Sequence, residues 1–233
     1  MRTRVVYLHG LEENSASTKP AELARDASLD VLVADLKIHH LYSNGLIVSA
    51  CYVLAPVAST CFLLALLAFG SVGRAAAASA AVSGLSVALK SVRAQIFARS
   101  LDASYAVAHR AVIEFRPDVV VGFSWGGALA LRLVEEGAWD GPLLLLGSAH
   151  RLLARLAGRK PFSALTTSLP RRLTIVHGGA DTLVPVADSL ELANAAKVQV
   201  DVVAAEPHKL WGVAPRLAAL VRELVEVSRD GPR

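Results

Sequence analysis

Short apolar runs ending in Gly or Asp alternate along this chain with longer stretches in which apolar residues recur every three or four positions. The first pattern reads as strands and the second as amphipathic helices, and their alternation is the rhythm of repeated β-α-β units. Strands are expected at Arg4 to His9, Asp30 to Asp35, Asp118 to Phe123, Pro142 to Leu146, Leu173 to His177 and Val198 to Val203. Helices are expected near Ser17 to Ala27, Val92 to Phe115, Gly126 to Gly137, Val186 to Ala196 and Ala214 to Val227. Runs such as DVVVGF and LLLL suit parallel strands buried on both faces, and right-handed crossovers then put helices on both sides of one sheet. The expected class is α/β, a three-layer sandwich around a mostly parallel sheet of about six strands.

One segment breaks the rhythm. Leu41 to Gly73 holds 33 residues without Asp, Glu, Lys, Arg or His, and its densest part, Leu46 to Phe69, runs for 24 positions. At about 1.5 Å per residue such a helix is roughly 36 Å long, enough to cross a hydrocarbon core of about 30 Å with some tilt. Pro56 would kink it, which a membrane helix tolerates better than a soluble one. A turn-like GSVGR follows, then the uncharged Ala- and Ser-rich Ala75 to Leu89, which either returns across the bilayer or packs against the first helix. The chain therefore divides into a body, residues 1–40 and 91–233, and a hydrophobic helical hairpin insertion at 41–90. The hairpin is expected to associate with a membrane through residues 46–89; the competing reading is a cap laid over the body or a helix pair buried in its core. Lys37 before it and Lys90, Arg93 and Arg99 after it would put the body on the cytoplasmic face.

Composition agrees with a folded body carrying an apolar excess. Of 233 residues 54% are hydrophobic and 19% charged, which excludes a disordered chain. The mean hydropathy of +0.46 comes with only 6% aromatic residues, so the surplus is aliphatic. The net charge of +4 is uneven. Leu36 to Leu101 and Arg151 to Arg172 contain eleven basic residues and no acid, leaving 13 basic against 20 acidic residues elsewhere. No stripe of bases interleaved with aromatics accompanies them, so nucleic acid is not an expected partner, and anionic lipid headgroups fit better. Cys51 and Cys61 lie in the apolar segment without metal-ligand spacing, and MRTR runs into VVYLHG without the long apolar region of a cleaved signal. Both favour an intracellular location, membrane-associated or cytoplasmic.

The string VVVGFSWGGALALRL carries the most chemistry. A buried strand meets Gly122, Phe123, Ser124, Trp125, Gly126 and Gly127 and then a helix, which is G-x-S-x-G in its required setting. Glycine stands at the places where a strained turn leaves no room, and the serine Oγ is presented at a helix N-terminus, where the dipole favours developing negative charge. A serine hydroxyl needs an imidazole base, and the imidazole an orienting carboxylate. Asp181 follows a strand in LTIVHGGADTLVP, and His208 follows the last strand in AAEPHKLWG. Asp188, Asp201 and Glu206 are poorer carboxylates, being within a helix, within a strand, or two residues from the histidine. His9 and His177, before glycines at strand ends, read as structural; His109 falls mid-helix; His39 and His40 border the apolar segment; His150, after LLLLGSA, is a candidate for lining the substrate pocket. Backbone donors for an oxyanion are expected at Trp125, directly after the serine, and at Leu11, in the loop after the first strand.

In YLHGLEENSAS, VGFSWGG and the pair HGGAD with EPHKL, the chain resembles the α/β-hydrolase superfamily, and within it the compact intracellular esterases. The resemblance covers residues 4–36 and about 93–228, and residues 41–90 match no part of the compact fold. It implies Ser124 as nucleophile, Asp181 as acid, His208 as base, and Leu11 and Trp125 as oxyanion donors, in the order Ser, Asp, His of that superfamily, with no metal or cofactor. The expected activity is cleavage of carboxylic esters or thioesters through an acyl-enzyme, lipid-like donors included. The alternatives are a catalytically silent membrane adaptor and an acyltransferase or lyase using the same residues. The insertion leaves directly after the second strand, so it should rise from the sheet edge that carries the candidate site.

Overall fold

Among the described residues the Val, Leu and Ile runs form six strands: β1 (Thr3–Leu8), β2 (Leu29–Ala34), β3 (Val119–Phe123), β4 (Leu143–Leu146), β5 (Leu173–Gly178) and β6 (Val200–Val203). They join in the order β2-β1-β3-β4-β5-β6, every neighbouring pair parallel. The computed structural model describes residues 2–14, 16–38, 60, 72–160, 169–170 and 172–230, with the backbone alone at 72–83, 85–86 and 227–230. β3 and β4 are buried at every position, which explains their unbroken apolar sequence.

Among the described residues the helices are α1 (Thr18–Arg25), α2 (Val72–Phe115), α3 (Trp125–Glu135), α4 (His150–Leu156), α5 (Val186–Ala196) and α6 (Leu217–Asp230), the last preceded by a 3-10 turn at Trp211–Arg216. From β1 the chain steps outward to β2, then returns past β1 to β3 and continues in one direction. Right-handed crossovers therefore put α1 on one face and α2 to α5 on the other, and α6, after the last strand, returns to the face of α1. Two apolar clusters follow. Val6, Leu8, Val120 and Leu145 face Leu101, Leu129, Leu153 and Leu192 of α2 to α5. Val5, Tyr7, Val121 and Leu144 face Leu23 of α1 and Leu217, Val221 and Leu224 of α6.

Within α2 the buried positions Leu101, Ser104, Ala108 and Val112 recur at helical spacing. Asp102 on its flank accepts from Arg132 of α3 (2.7 Å) and from both terminal nitrogens of Arg159 after α4 (2.9 and 2.6 Å), tying three helices together. The register Leu8↔Gly122, Phe123↔Leu146 and Gly178↔Val203 brings the carboxyl ends of the strands to one edge. The strand order reverses between β1 and β3, where a crevice opens in sheets of this kind.

Residues 39–71, which include most of the expected first hairpin arm together with His39, His40, Cys51 and Cys61, lie outside the described residues apart from Thr60. The second arm differs from expectation. The turn expected at Gly70 to Arg74 does not interrupt the chain from Val72 onward, and Ala75 to Leu89 and Val92 to Phe115 are one continuous helix. The Ala-rich run contains no proline, and the single Gly84 costs a helix only about 1 kcal/mol, so nothing stops it. Among the described residues no helix is long and apolar enough to cross a membrane.

Candidate active site

Ser124 occupies the turn between β3 and α3 with φ 51° and ψ −107°, a backbone conformation that costs a non-glycine residue of order 1–3 kcal/mol. The ends of the two neighbouring strands, β1 and β4, hold it there. Ser124 N–H donates to Leu146 C=O (2.9 Å), Ala149 N–H to Ser124 C=O (3.1 Å), and Gly126 N–H to His9 C=O (3.2 Å). The turn passes so close to its neighbours that side chains are excluded. A Cβ on Gly126 would lie 1.9 Å from the Leu8 carbonyl oxygen, and one on Gly122 would lie 2.8 Å from the Gly126 carbonyl oxygen. Trp125 opens α3, and the first amides of a helix have no acceptor within the helix, its own backbone N–H among them.

Asp181 and His208 arrive from the loops after β5 and β6. Those loops are joined, because Gly179 N–H donates to Val203 C=O (2.8 Å) and Ala180 N–H to Glu206 C=O (3.0 Å). Asp181 Oδ1 accepts the Leu183 and Val184 N–H groups, both at 2.8 Å, which orients the carboxylate. Its Oδ2 lies 2.6 Å from His208 Nδ1, and His208 Nε2 lies 2.8 Å from Ser124 Oγ. The carboxylate can only accept, so Nδ1 carries the ring proton and Nε2 presents its lone pair to the serine hydroxyl. The Asp181 side chain is 1% exposed and that of His208 13%, so the carboxylate is shielded while the imidazole reaches the surface. The His208 ring packs on Phe123, with centroids 5.4 Å apart. The sequence-predicted Ser124, Asp181 and His208 thus meet in one hydrogen-bonded line.

The loop after β1 closes the site from the other side. His9 Nδ1–H donates to Gly10 C=O (2.8 Å), and its Nε2 accepts Leu36 N–H (3.4 Å). Glu13 N–H reaches the same Gly10 carbonyl (3.2 Å). A trans peptide opposes C=O and N–H, so Leu11 N–H is directed away from the His9 ring. A Cβ on Gly10 would touch Ser124 Cβ at 3.4 Å, which measures how closely this loop approaches the serine.

His150 stands elsewhere. It is buried at the start of α4, with Nδ1 3.3 Å from both Ser148 Oγ and Ser148 C=O. It lines a cavity of about 170 Å³ with Leu101, Leu129, Arg132 and Leu153; Ser124, Asp181 and His208 are not among the lining residues. Burial holds its imidazole below the ordinary histidine pKa, with the Asp188 charge opposing.

Two buried polar groups beside the site make contacts that the sequence pattern does not show. Lys19 of α1 is buried with its ammonium 2.5 Å from Glu13 Oε1 and 3.8 Å from the centroid of the Phe123 ring that supports His208. Burial lowers its pKa below the ordinary lysine value, with Glu13 opposing, and Tyr7 O–H completes the group by donating to Glu13 Oε2 (3.0 Å). The second group is His177, fully buried next to Asp181.

No protein-family model matches the chain, and no curated protein matches it by sequence. Solved structures do. A candidate hydrolase of the α/β superfamily from Xanthomonas campestris pv. campestris is similar over 99% of this chain and 100% of its own, at 19% identity and a TM-score of 0.54. The esterase domain of a Rhodothermus marinus protein aligns over 96% of this chain and 87% of its own, at 17% identity and a TM-score of 0.48. With the parallel sheet, the helices on both faces and the first of these likenesses together, the chain has the α/β-hydrolase fold.

Proposed function

We propose that this protein is a serine hydrolase that cleaves carboxylic esters or thioesters through an acyl-enzyme. One observation carries the reading: a serine in a strained turn stands 2.8 Å from an imidazole nitrogen whose opposite nitrogen is held 2.6 Å from a buried carboxylate. A serine hydroxyl alone is a weak nucleophile near neutral pH, and this arrangement supplies what it lacks.

In the proposed reaction His208 Nε2 takes the Ser124 hydroxyl proton as Oγ attacks the substrate carbonyl carbon. The imidazolium that forms is stabilised by Asp181, and the carbonyl oxygen, now an oxyanion, accepts hydrogen bonds from the Trp125 and Leu11 N–H groups. His208 returns the proton to the departing alcohol or thiol, leaving an ester on Ser124. Water, deprotonated by the same imidazole, then releases the carboxylic acid and restores the serine. Preorganised donors of this kind are each worth about 10²–10³ in kcat.

Residues 46–89 are part of the proposal as a membrane-associating segment that brings the site to lipid-like esters. Its support is the 24 uncharged positions from Leu46 to Phe69 and the basic residues that flank the insertion. After a carbonate wash the full chain should stay with membranes, and recovery in the supernatant would sink this part alone. The catalytic part is tested by hydrolysis of a p-nitrophenyl ester and thioester series: Ser124→Ala should abolish turnover while the protein keeps its unfolding midpoint, and full activity in that variant would end the proposal.

A further inference from the structure

The structure assigns His177 a positioning role in the reaction: from behind Asp181 it holds the carboxylate in register with His208. This inference rests on the serine-hydrolase reading above and deepens it.

His177 is the fifth of the six residues of β5 and has no exposed surface. Its two ring nitrogens have unambiguous partners. Nε2 lies 3.1 Å from Val184 C=O, and a carbonyl oxygen only accepts, so Nε2 carries the proton. Nδ1 lies 2.7 Å from the Ser189 hydroxyl of α5, which donates to it when the ring is neutral. Ser189 is itself fully buried, so water does not replace that donor. The chain Ser189 to His177 to Val184 therefore fixes both the tautomer and the plane of the imidazole.

That plane aims Nε2–H at the turn bearing the candidate acid. The same Nε2 is 3.4 Å from Asp181 Oδ2, the oxygen that accepts from His208 Nδ1. Val184, whose carbonyl His177 holds, also donates its N–H to Asp181 Oδ1 (2.8 Å). His177 thus acts on the carboxylate twice, by presenting an N–H dipole to Oδ2 and by holding the carbonyl of Val184, the residue whose N–H grips Oδ1. Without it, Oδ2 keeps only His208 as a close ring partner and the 181–184 turn loses its tie to α5. A carboxylate displaced by a few tenths of an ångström carries His208 Nε2 away from Ser124 Oγ, and misplacement on the scale of 1 Å costs roughly 10²-fold in rate.

His177→Phe keeps a planar ring and removes both nitrogens; His177→Gln puts an amide N–H near the place of Nε2; Ser189→Ala removes the hydroxyl that fixes the tautomer. In ester hydrolysis by the full chain, His177→Phe should lower kcat roughly 30- to 100-fold with KM unchanged, His177→Gln should recover to within about fivefold of wild type, and Ser189→Ala should fall roughly three- to tenfold. Long-range nitrogen-proton correlation spectra of the wild-type protein should show His177 as the neutral Nε2–H tautomer, a readout that needs no variant to fold. A kcat unchanged by His177→Phe, equal losses for His177→Phe and His177→Gln, a loss carried by KM, or an Nδ1–H tautomer would each overturn the assignment. If Ser124→Ala is inactive while His177→Phe is fully active, the serine-hydrolase reading stands and this one falls; if Ser124→Ala is active, both fall.

Discussion

Asp181→Asn exchanges one carboxylate oxygen for an NH₂ group, and the structure dictates which one. Oδ1 accepts two backbone N–H groups at 2.8 Å, so the oxygen of the substituted amide must take that place. The NH₂ then occupies the Oδ2 position, 2.6 Å from His208 Nδ1 and 3.4 Å from His177 Nε2. Two donors cannot face each other at 2.6 Å, so His208 adopts the tautomer with the proton on Nε2 and accepts at Nδ1. In that form Nε2–H points at Ser124 Oγ and the ring cannot take the hydroxyl proton. The expected loss is the whole contribution of the base, about 10⁴-fold in kcat, or about 5.4 kcal/mol of transition-state stabilisation at about 1.36 kcal/mol per tenfold. Stability should change by no more than about 1 kcal/mol, since both backbone hydrogen bonds to the side chain survive. Steady-state hydrolysis of a p-nitrophenyl ester, with urea unfolding of the same preparation, reads both quantities. An Asp181→Asn protein whose kcat stays near the wild-type value would refute the assignment of the carboxylate.

Two further predictions concern the scaffold. Gly126→Ala puts a methyl 1.9 Å from the Leu8 carbonyl oxygen, so β1 and α3 must part by about 1.5 Å to restore contact; this should cost about 2–4 kcal/mol in urea unfolding and about 10²-fold in kcat. Gly84→Ala, in helix α2 with nothing within 4 Å of the added methyl, should instead raise stability by up to about 1 kcal/mol. His150 has its folded pKa lowered below the ordinary 6.5 by burial, so the unfolded chain binds its proton first as the pH falls. Its contribution to stability is therefore complete above about pH 6.5 and is lost on acidification from there towards the folded pKa. Unfolding by urea at about pH 7.5 and about pH 5.5 should show a smaller loss for His150→Gln than for wild type, and an equal or larger loss would contradict this sign.

How far the sequence could be read depended on how local each signal was. The six strands lie within two residues of their expected bounds, because runs such as Val119 to Phe123 are too apolar for any position but the middle of a covered sheet. The serine turn was legible for a similar reason: Gly122 and Gly126 stand where neighbouring backbone leaves no room for a Cβ. Helix ends were harder. Helix continues from Val72 through the turn expected in GSVGR, and the basic residues of the seven-residue α4 at His150–Leu156 mask the inward face that Leu153 and Leu156 mark. His177 and Lys19 were the least legible. His177 opens the HGGAD string and Lys19 lies in a short helix, but neither position shows what its side chain touches; the contacts come from residues 4 to 12 positions away for His177, and from Glu13 and Phe123 for Lys19.

Whether the Ser124 hydroxyl is the group that His208 activates is decided by treating active protein with a fluorophosphonate and mapping the modified peptide by mass. Stoichiometric modification of Ser124 is expected in step with loss of hydrolysis, with little labelling in His208→Ala. Complete inactivation with the label on another residue, or hydrolysis that persists with Ser124 modified, would overturn the reading.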